Sequence, residues 1–300
     1  MAMQTFFRLS LLIVLVSICS PSFAQDAAVA EPPAVMDKTD DWTDLLDEEL
    51  TKWETWIGVP HSSVTGLPEG TSQHDKSQKG DPLGLDNDLK NVFSTVKDGD
   101  DILLHVTGEI YGGLTTKETF QNYHLQMKHR WGEKKWPPRL KSRRDSGVLY
   151  HCYGDHGAFW KVWKSCVEYQ VQEKDYGDLY LLAGPKATIR ASKPSGKKGK
   201  AKFDPEAEYA KASNTSASSE PDLPNGQWNT IDIYVVGDAA IHVCNGVVVL
   251  AIKDITKKDG TRLDSGQLQL QSEAAECDYK DIRIRSISEF PADLAKDANM

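Results

Sequence analysis

The sequence predicts an all-β chain folded as an antiparallel β-sandwich or jelly roll, and three observations carry that prediction. Short segments alternate apolar and polar residues and are rich in β-branched side chains, helical periodicity is nearly absent, and turn residues separate the segments. Many short strands without interleaved helices bury their apolar sides by packing sheet on sheet.

The elements follow in chain order. Arg8 precedes an apolar run over residues 11–18, and Ser22, Phe23 and Ala24 form a small-x-small cleavage pattern, so residues 1–24 read as a secretory signal peptide. The run is shorter than the ~20 residues of a membrane-spanning helix, and no later segment approaches that length. An exported chain, periplasmic or extracellular and without a transmembrane segment, is the expectation. Cys19 raises lipid anchoring as a lesser alternative, disfavoured by the bulky Ile18 before it. Residues 25–39 are small and proline-bearing, which suits a flexible leader. A single domain is expected over 40–290, with strands at 102–107, 122–131, 146–152, 165–173, 230–236, 240–245, 247–252, 267–272 and 281–287. Asn245-Gly246 between two apolar runs signals a hairpin, because both turn residues accept positive φ. Residues 191–227, basic and then acidic, read as a long surface insertion with a short helix over 205–211, and residues 291–300 as a C-terminal tail.

The net charge of −9 argues against a nucleic-acid partner, since phosphate binding draws on a basic surface. Beyond Cys19 there are four cysteines, Cys152, Cys166, Cys244 and Cys277, with no C-x-x-C pair to suggest a thiolate zinc site. In an exported protein they suggest two disulfides, or one disulfide and two buried thiols, and the pairing stays open.

Side chains alternate across a strand. Val167, Tyr169 and Val171 are therefore expected to face a core and Glu168, Gln170 and Gln172 the other side, while Gln267, Gln269 and Gln271 oppose Leu268 and Leu270. In 122–131, Tyr123, Leu125 and Met127 take one side and His124, Gln126, Lys128 and Arg130 the other. A merely solvated face is usually Lys, Glu and Thr. Amides, imidazoles, guanidinium forks and tryptophan instead offer the paired donors and acceptors, and the flat rings, that adjacent sugar hydroxyls and the C–H face of a pyranose require.

Glu168 and Glu173 resemble the E-x-D-x-x-E signature of laminarinase-type β-glucanases, but Gln170 replaces the middle Asp. Without a bulge Glu173 points away, whereas retaining hydrolysis needs two carboxyls on one face. A single carboxylate among amides and histidines suits proton abstraction better. His151, behind Arg144 and Asp145 in one strand, is the histidine best placed for acid/base work. No cofactor is specified. Asp175 and Asp178 offer oxygens to a divalent cation such as Ca²⁺, without an EF-hand loop.

The segments PLGLDND (82–88), GEIYGGLTTKETFQNYHL (108–125), WGEKKWPPR (131–139), RDSGVLYHC (144–152), VEYQVQEKDYGDLY (167–180), QWNTIDIYVVGDAAIHVCNG (227–246) and GQLQLQSEAAECDYKDIRIR (266–285) together resemble the 3-keto-disaccharide hydrolase domain family, over residues 42–287. The resemblance implies a concanavalin A-like, laminin-G-like sandwich, export of the protein in bacteria, and action on glycosides already oxidised at C3. A C3 ketone acidifies the C2 hydrogen, so one base can start an elimination that needs no second opposed carboxylate. It further implies Glu168 or His151 as base or acid, with Arg144, Gln170 and Gln172 holding the keto oxygen and hydroxyls. His124, Trp228, Gln269 and Gln271 would line the sugar site, with Lys128 and Arg139 as further candidates. The insertion at 191–227 departs from the compact family loop. A carbohydrate is thus the expected partner, for a hydrolase or lyase or for a non-catalytic binding module on the same fold; an ordinary β-glucanase is the third reading.

Overall fold

The computed structural model describes Met1 and residues 42–193 and 199–300. Cys19, the leader over 25–39 and all of the signal peptide but Met1 lie outside the described residues. Among those described, no helix is long and apolar enough to cross a membrane.

Residues 42–300 form a sandwich of two sheets, with strands numbered in chain order. One sheet runs β4 (Phe93–Asp98), β5 (Asp101–Val106), β19 (Ala275–Ser286), β7 (Tyr123–Lys135), β15 (Asn229–Val236), β16 (Ala239–Cys244), β17 (Val247–Thr256), β11 (Lys186–Ser192) and β13 (Tyr209–Lys211). β1 (Thr43–Asp44) pairs with β19 at Arg283 and Ile284, beyond the reach of β5. The other sheet runs β3 (Gly84–Leu85), β2 (Trp53–Ile57), β6 (Gly112–Thr116), β18 (Gln267–Ser272), β8 (Asp145–Tyr153), β9 (Ser165–Gln172), β10 (Leu179–Leu182), β14 (Thr215–Ser216) and β12 (Ala201–Phe203). The pairings are antiparallel except β12 with β14. β11 belongs to both sheets: Ile189 pairs with Ile252 of β17, and Ala191 and Ser192 pair with β12.

The alternation read in the sequence decides which side of each strand is buried. Leu125, Met127, Ile231 and Ile233 from the first sheet meet Val148, Val167, Tyr169, Val171 and Leu270 from the second in one core. Three tyrosine hydroxyls that enter this core are bonded across it, whereas that of Tyr123 is buried without a partner. Tyr150 meets His242 Nε2 at 2.8 Å, Tyr169 donates to Val243 O at 3.2 Å, and Tyr279 meets Ser146 Oγ at 2.9 Å. The hairpin at Asn245-Gly246 forms between β16 and β17, with φ of 48° and 79°.

Two expectations need correction, and the C-terminal tail gains an element. Residues 205–211 are not helical: a turn after Asp204 leads into β13, which pairs with Thr188–Arg190 of β11, so the sheet edge captures the segment. The C-terminal tail contains α1 (Ala292–Ala298), which buries Ala298 and ends at Asn299 in the left-handed conformation. The four cysteines are free and buried rather than bridged. Cys152 and Cys166 lie against each other across β8 and β9, whereas Cys244 contacts Tyr169 and Cys277 contacts Ser146 and Tyr279, each thiol packed as a small apolar group.

Leu270 is fully buried and Val247 is 44% exposed. Leu270→Ala is expected to cost about 2–5 kcal/mol of stability in denaturant melts, and Val247→Ala less than about 0.5 kcal/mol.

Candidate active site

Strand register assembles the site on the outer face of the second sheet. Asp145 of β8 pairs with Gln172 of β9 on one side and bridges to Glu273, just past β18, on the other. One pleat along, Gly147 pairs with Gln170 and lies beside Gln271. One pleat further, Leu149 stands between Gln269 and Glu168, and Glu168 pairs with Tyr180 of β10. Polar side chains thus ring Gly147, and Gly147 is the floor. A Cβ there would sit 2.4 Å from Glu168 Oε1 and 2.8 Å from Gln271 Oε1, so the absent side chain is what admits both groups.

The hollow above this floor has a volume of about 390 Å³. Its walls come from the strand residues, from Phe159, Trp160 and Trp163 of the β8–β9 connection, from Arg139 before β8, and from Asn214 of the 191–227 insertion. A second hollow of about 260 Å³, walled in part by Val59, Tyr111, Pro137 and Pro138, shares Arg139, Trp160 and Glu273 with the first. Trp160 is 42% exposed where the two meet, and its ring stacks on Phe159 at 4.8 Å.

Two carboxyl groups pair with one guanidinium, and a third, Glu168, feels the charge of Asp145. Arg139 is ion-paired with Asp145 and, through Nη1 at 3.2 Å, with Glu273 Oε1; Gln172 Nε2 donates to Asp145 Oδ2 at 2.6 Å. Burial pushes the Glu168 carboxyl up to about 8, the charge of Asp145 adds to the rise, and a hydrogen bond with Gln271 opposes it. Burial likewise raises Asp145 to about 7 against the pull of Arg139. Glu273 rises well above the usual carboxyl range, first from burial and then from Asp145. The leading cause is common to all three, since withdrawal from water penalises the charged form. Gln170 Oε1, Gln271 Oε1, Asp145 Oδ1 and Arg139 Nε are buried without partners, a concentration of unspent hydrogen-bonding capacity at one spot.

Of the residues singled out in the sequence, Glu168, Gln170, Gln172, Gln271 and Arg139 meet in this hollow. Gln269 shares their face but is spent internally, donating to Thr115 Oγ1 at 2.8 Å and accepting from Lys164 N at 3.2 Å. His151 is fully buried at the bulge in β8, with φ 52°, against Tyr150, and lines neither hollow; burial lowers it to about 4. Arg144 turns away to Glu173, with Nη1 2.6 Å from Oε1, so Glu173 is also outside. His124 and Lys128 belong to the first sheet, and Trp228 directly precedes its strand β15. Because each sheet turns its apolar side to the shared core, their polar side is the opposite exterior of the sandwich. There His124 Nε2 bonds Asp232 at 2.7 Å, Lys128 pairs with Asp281 at 3.0 Å, and Arg130 covers the Trp228 ring at 4.4 Å.

Asp175 and Asp178 do not form a cation site. Asp175 pairs with Arg143 at 2.9 Å, and Asp178 accepts from Ala217 N at 2.7 Å and faces Lys200 at 3.4 Å. Among the described residues no group of three or more His, Cys, Asp or Glu is arranged to hold a metal.

Sequence reasoning missed Asp145, Glu273, Tyr180, Trp160 and Asn214. Glu273 continues the two-residue spacing of Gln267, Gln269 and Gln271, so that signal was present. Trp160 and Asn214 sit on connections, where strand alternation gives no direction.

No curated protein matches the chain. Among solved structures it is similar to a glycosyl hydrolase, described as putative, from Parabacteroides distasonis, at 14% identity over 83% of this chain and 95% of that one, with a TM-score of 0.48. A second such structure from the same organism gives 16% identity over 82% and 99%, with a TM-score of 0.43. The carbohydrate-binding module CBM66 from Bacillus subtilis gives 9% identity over 65% and 96%, with a TM-score of 0.38. The family model described as a 3-keto-alpha-glucoside-1,2-lyase-like domain matches residues 41–285, the whole of both sheets but for the last residue of β19, and the chain belongs to this family of carbohydrate-active proteins.

Proposed function

We propose that the protein cleaves glycosides carrying a ketone at C3, with Glu168 as the base that removes the C2 proton. The observation that carries this reading is the buried Glu168 carboxyl, raised to about 8, against the open floor at Gly147 in a hollow that also holds amides, the Arg139 guanidinium and the two carboxyls paired with it. A carboxylate so destabilised is a stronger base than one in water, and its affinity for a proton lies close to neutral working conditions. As the C2–H bond breaks, its electrons pass to the enolate over C2, C3 and the keto oxygen, where Arg139 supplies positive charge. Collapse of the enolate expels the glycosidic oxygen from C1 and leaves a C1=C2 double bond conjugated with the ketone. Water then adds at C1 for net hydrolysis, or the unsaturated sugar departs as a lyase product. Gln170, Gln172 and Gln271 orient the hydroxyls, and Trp160 offers a flat ring to a sugar face.

Incubated with a 3-keto-glucoside and its unoxidised parent, the protein is expected to release aglycone from the keto form alone. Equal or no release from the keto form overturns the reading. Glu168→Gln should lower kcat on the keto substrate by about 10²–10⁴-fold while binding persists. A non-catalytic module would instead bind glycan without turnover in either form.

Because the free enzyme must ionise Glu168 before it can accept a proton, kcat/KM should climb with pH toward about 8. The residual rate of Glu168→Gln should lack that limb. In Gly147→Ala the new Cβ displaces the ends of two flexible side chains rather than backbone, so thermal unfolding should stay cooperative while turnover collapses.

A further inference from the structure

We propose that Glu273 is the acid that protonates the departing glycosidic oxygen, at the neck between the two hollows. This rests on the reading of Glu168 as the base. Among the described residues, only Arg139, Trp160 and Glu273 line both chambers. A glycoside with its oxidised ring over Gly147, within reach of Glu168, places its leaving group in the chamber beyond, and the bond that breaks then crosses the neck. Glu273 stands there on the same sheet face as Glu168, two pleats away along the strands, and is 7% exposed.

The groups that face Glu273 are Arg139, Asp145, Glu168 and Tyr111. Arg139 holds Oε1 only, and among the described residues Oε2 takes no hydrogen bond. Burial, with the charges of Asp145 and Glu168, keeps this carboxyl protonated well above the usual range. A poor leaving group needs such a proton and a good one does not.

The step balances. Glu168 takes the proton from C2, the C2–H pair becomes the C1=C2 bond, the C1–O bond breaks, and its electron pair takes the Glu273 proton. When water adds at C1, the Glu273 carboxylate recovers a proton from it, and Glu168 returns its own to C2.

The test is a series of 3-keto-glucosides whose leaving groups run from 4-nitrophenol to simple alkyl alcohols. Wild-type kcat/KM should depend weakly on the basicity of the leaving group. Glu273→Gln should lose about 10²–10⁴-fold on the alkyl members yet remain nearly as fast on the nitrophenyl member, whose turnover also reports an intact site. A steep dependence already present in the wild type overturns the proposal without recourse to any variant, as does equal loss, or no loss, across the series in Glu273→Gln. If the wild type turns over no member of the series, the reading of Glu168 fails first and the two failures are told apart.

Discussion

Two carboxyl groups, Asp145 and Glu273, are held against the guanidinium of Arg139, and a third, Glu168, shares the field of Asp145, in a place from which water is largely removed. Full ionisation would leave an excess of buried negative charge, so the group settles by keeping protons. The amides at 170, 172 and 271 belong to the same constraint. They deliver donors and acceptors without further charge, and an acid at any of them would compete with Glu168 for the proton on which the proposed chemistry turns. The Gln at 170, where laminarinase-type enzymes carry Asp, thus fits a site with one working base.

The cluster exists because of register. Gly147 sits where a side chain would otherwise fill the centre of the face, and pairing fixes its neighbours one by one. A slip of one residue in β8 would turn Asp145 into the core and Ser146 outward, so the buried apolar side of the strand holds the polar side in place. The tyrosine bonds through the core, from Tyr150 to His242 and from Tyr169 to Val243, add directional ties between the sheets.

Much of this was legible beforehand. The strand over residues 267–272 and the inward and outward sides of β7, β9 and β18 follow from a period of two, which needs no knowledge of partners. β6, with its paired glycines, and the four residues of β10 carry too little alternation to stand out. Within the site, alternation indicated which side chains leave the core but not which exterior they reach. His124 is on the far side of the molecule because β7 and β15 pair in the first sheet, a fact of topology, and Trp228, just before β15, lies there under Arg130. His151 was misplaced by the bulge in β8, which shifts the register between Tyr150 and Tyr153. Arg144 faced a choice between Asp145 and Glu173 that only coordinates resolve.

β11 pairs with one sheet at its start and with the other at its end, which stitches the sandwich shut along one flank. Open strand margins invite recruitment of foreign chains, and this flank offers little for them to extend. At the opposite flank the outermost strands are two-residue β3 and β4, whose last residues, Lys97 and Asp98, are charged and exposed. A protein built almost wholly of strands is thereby guarded against templated polymerisation, and the guard lies clear of the hollow above Gly147.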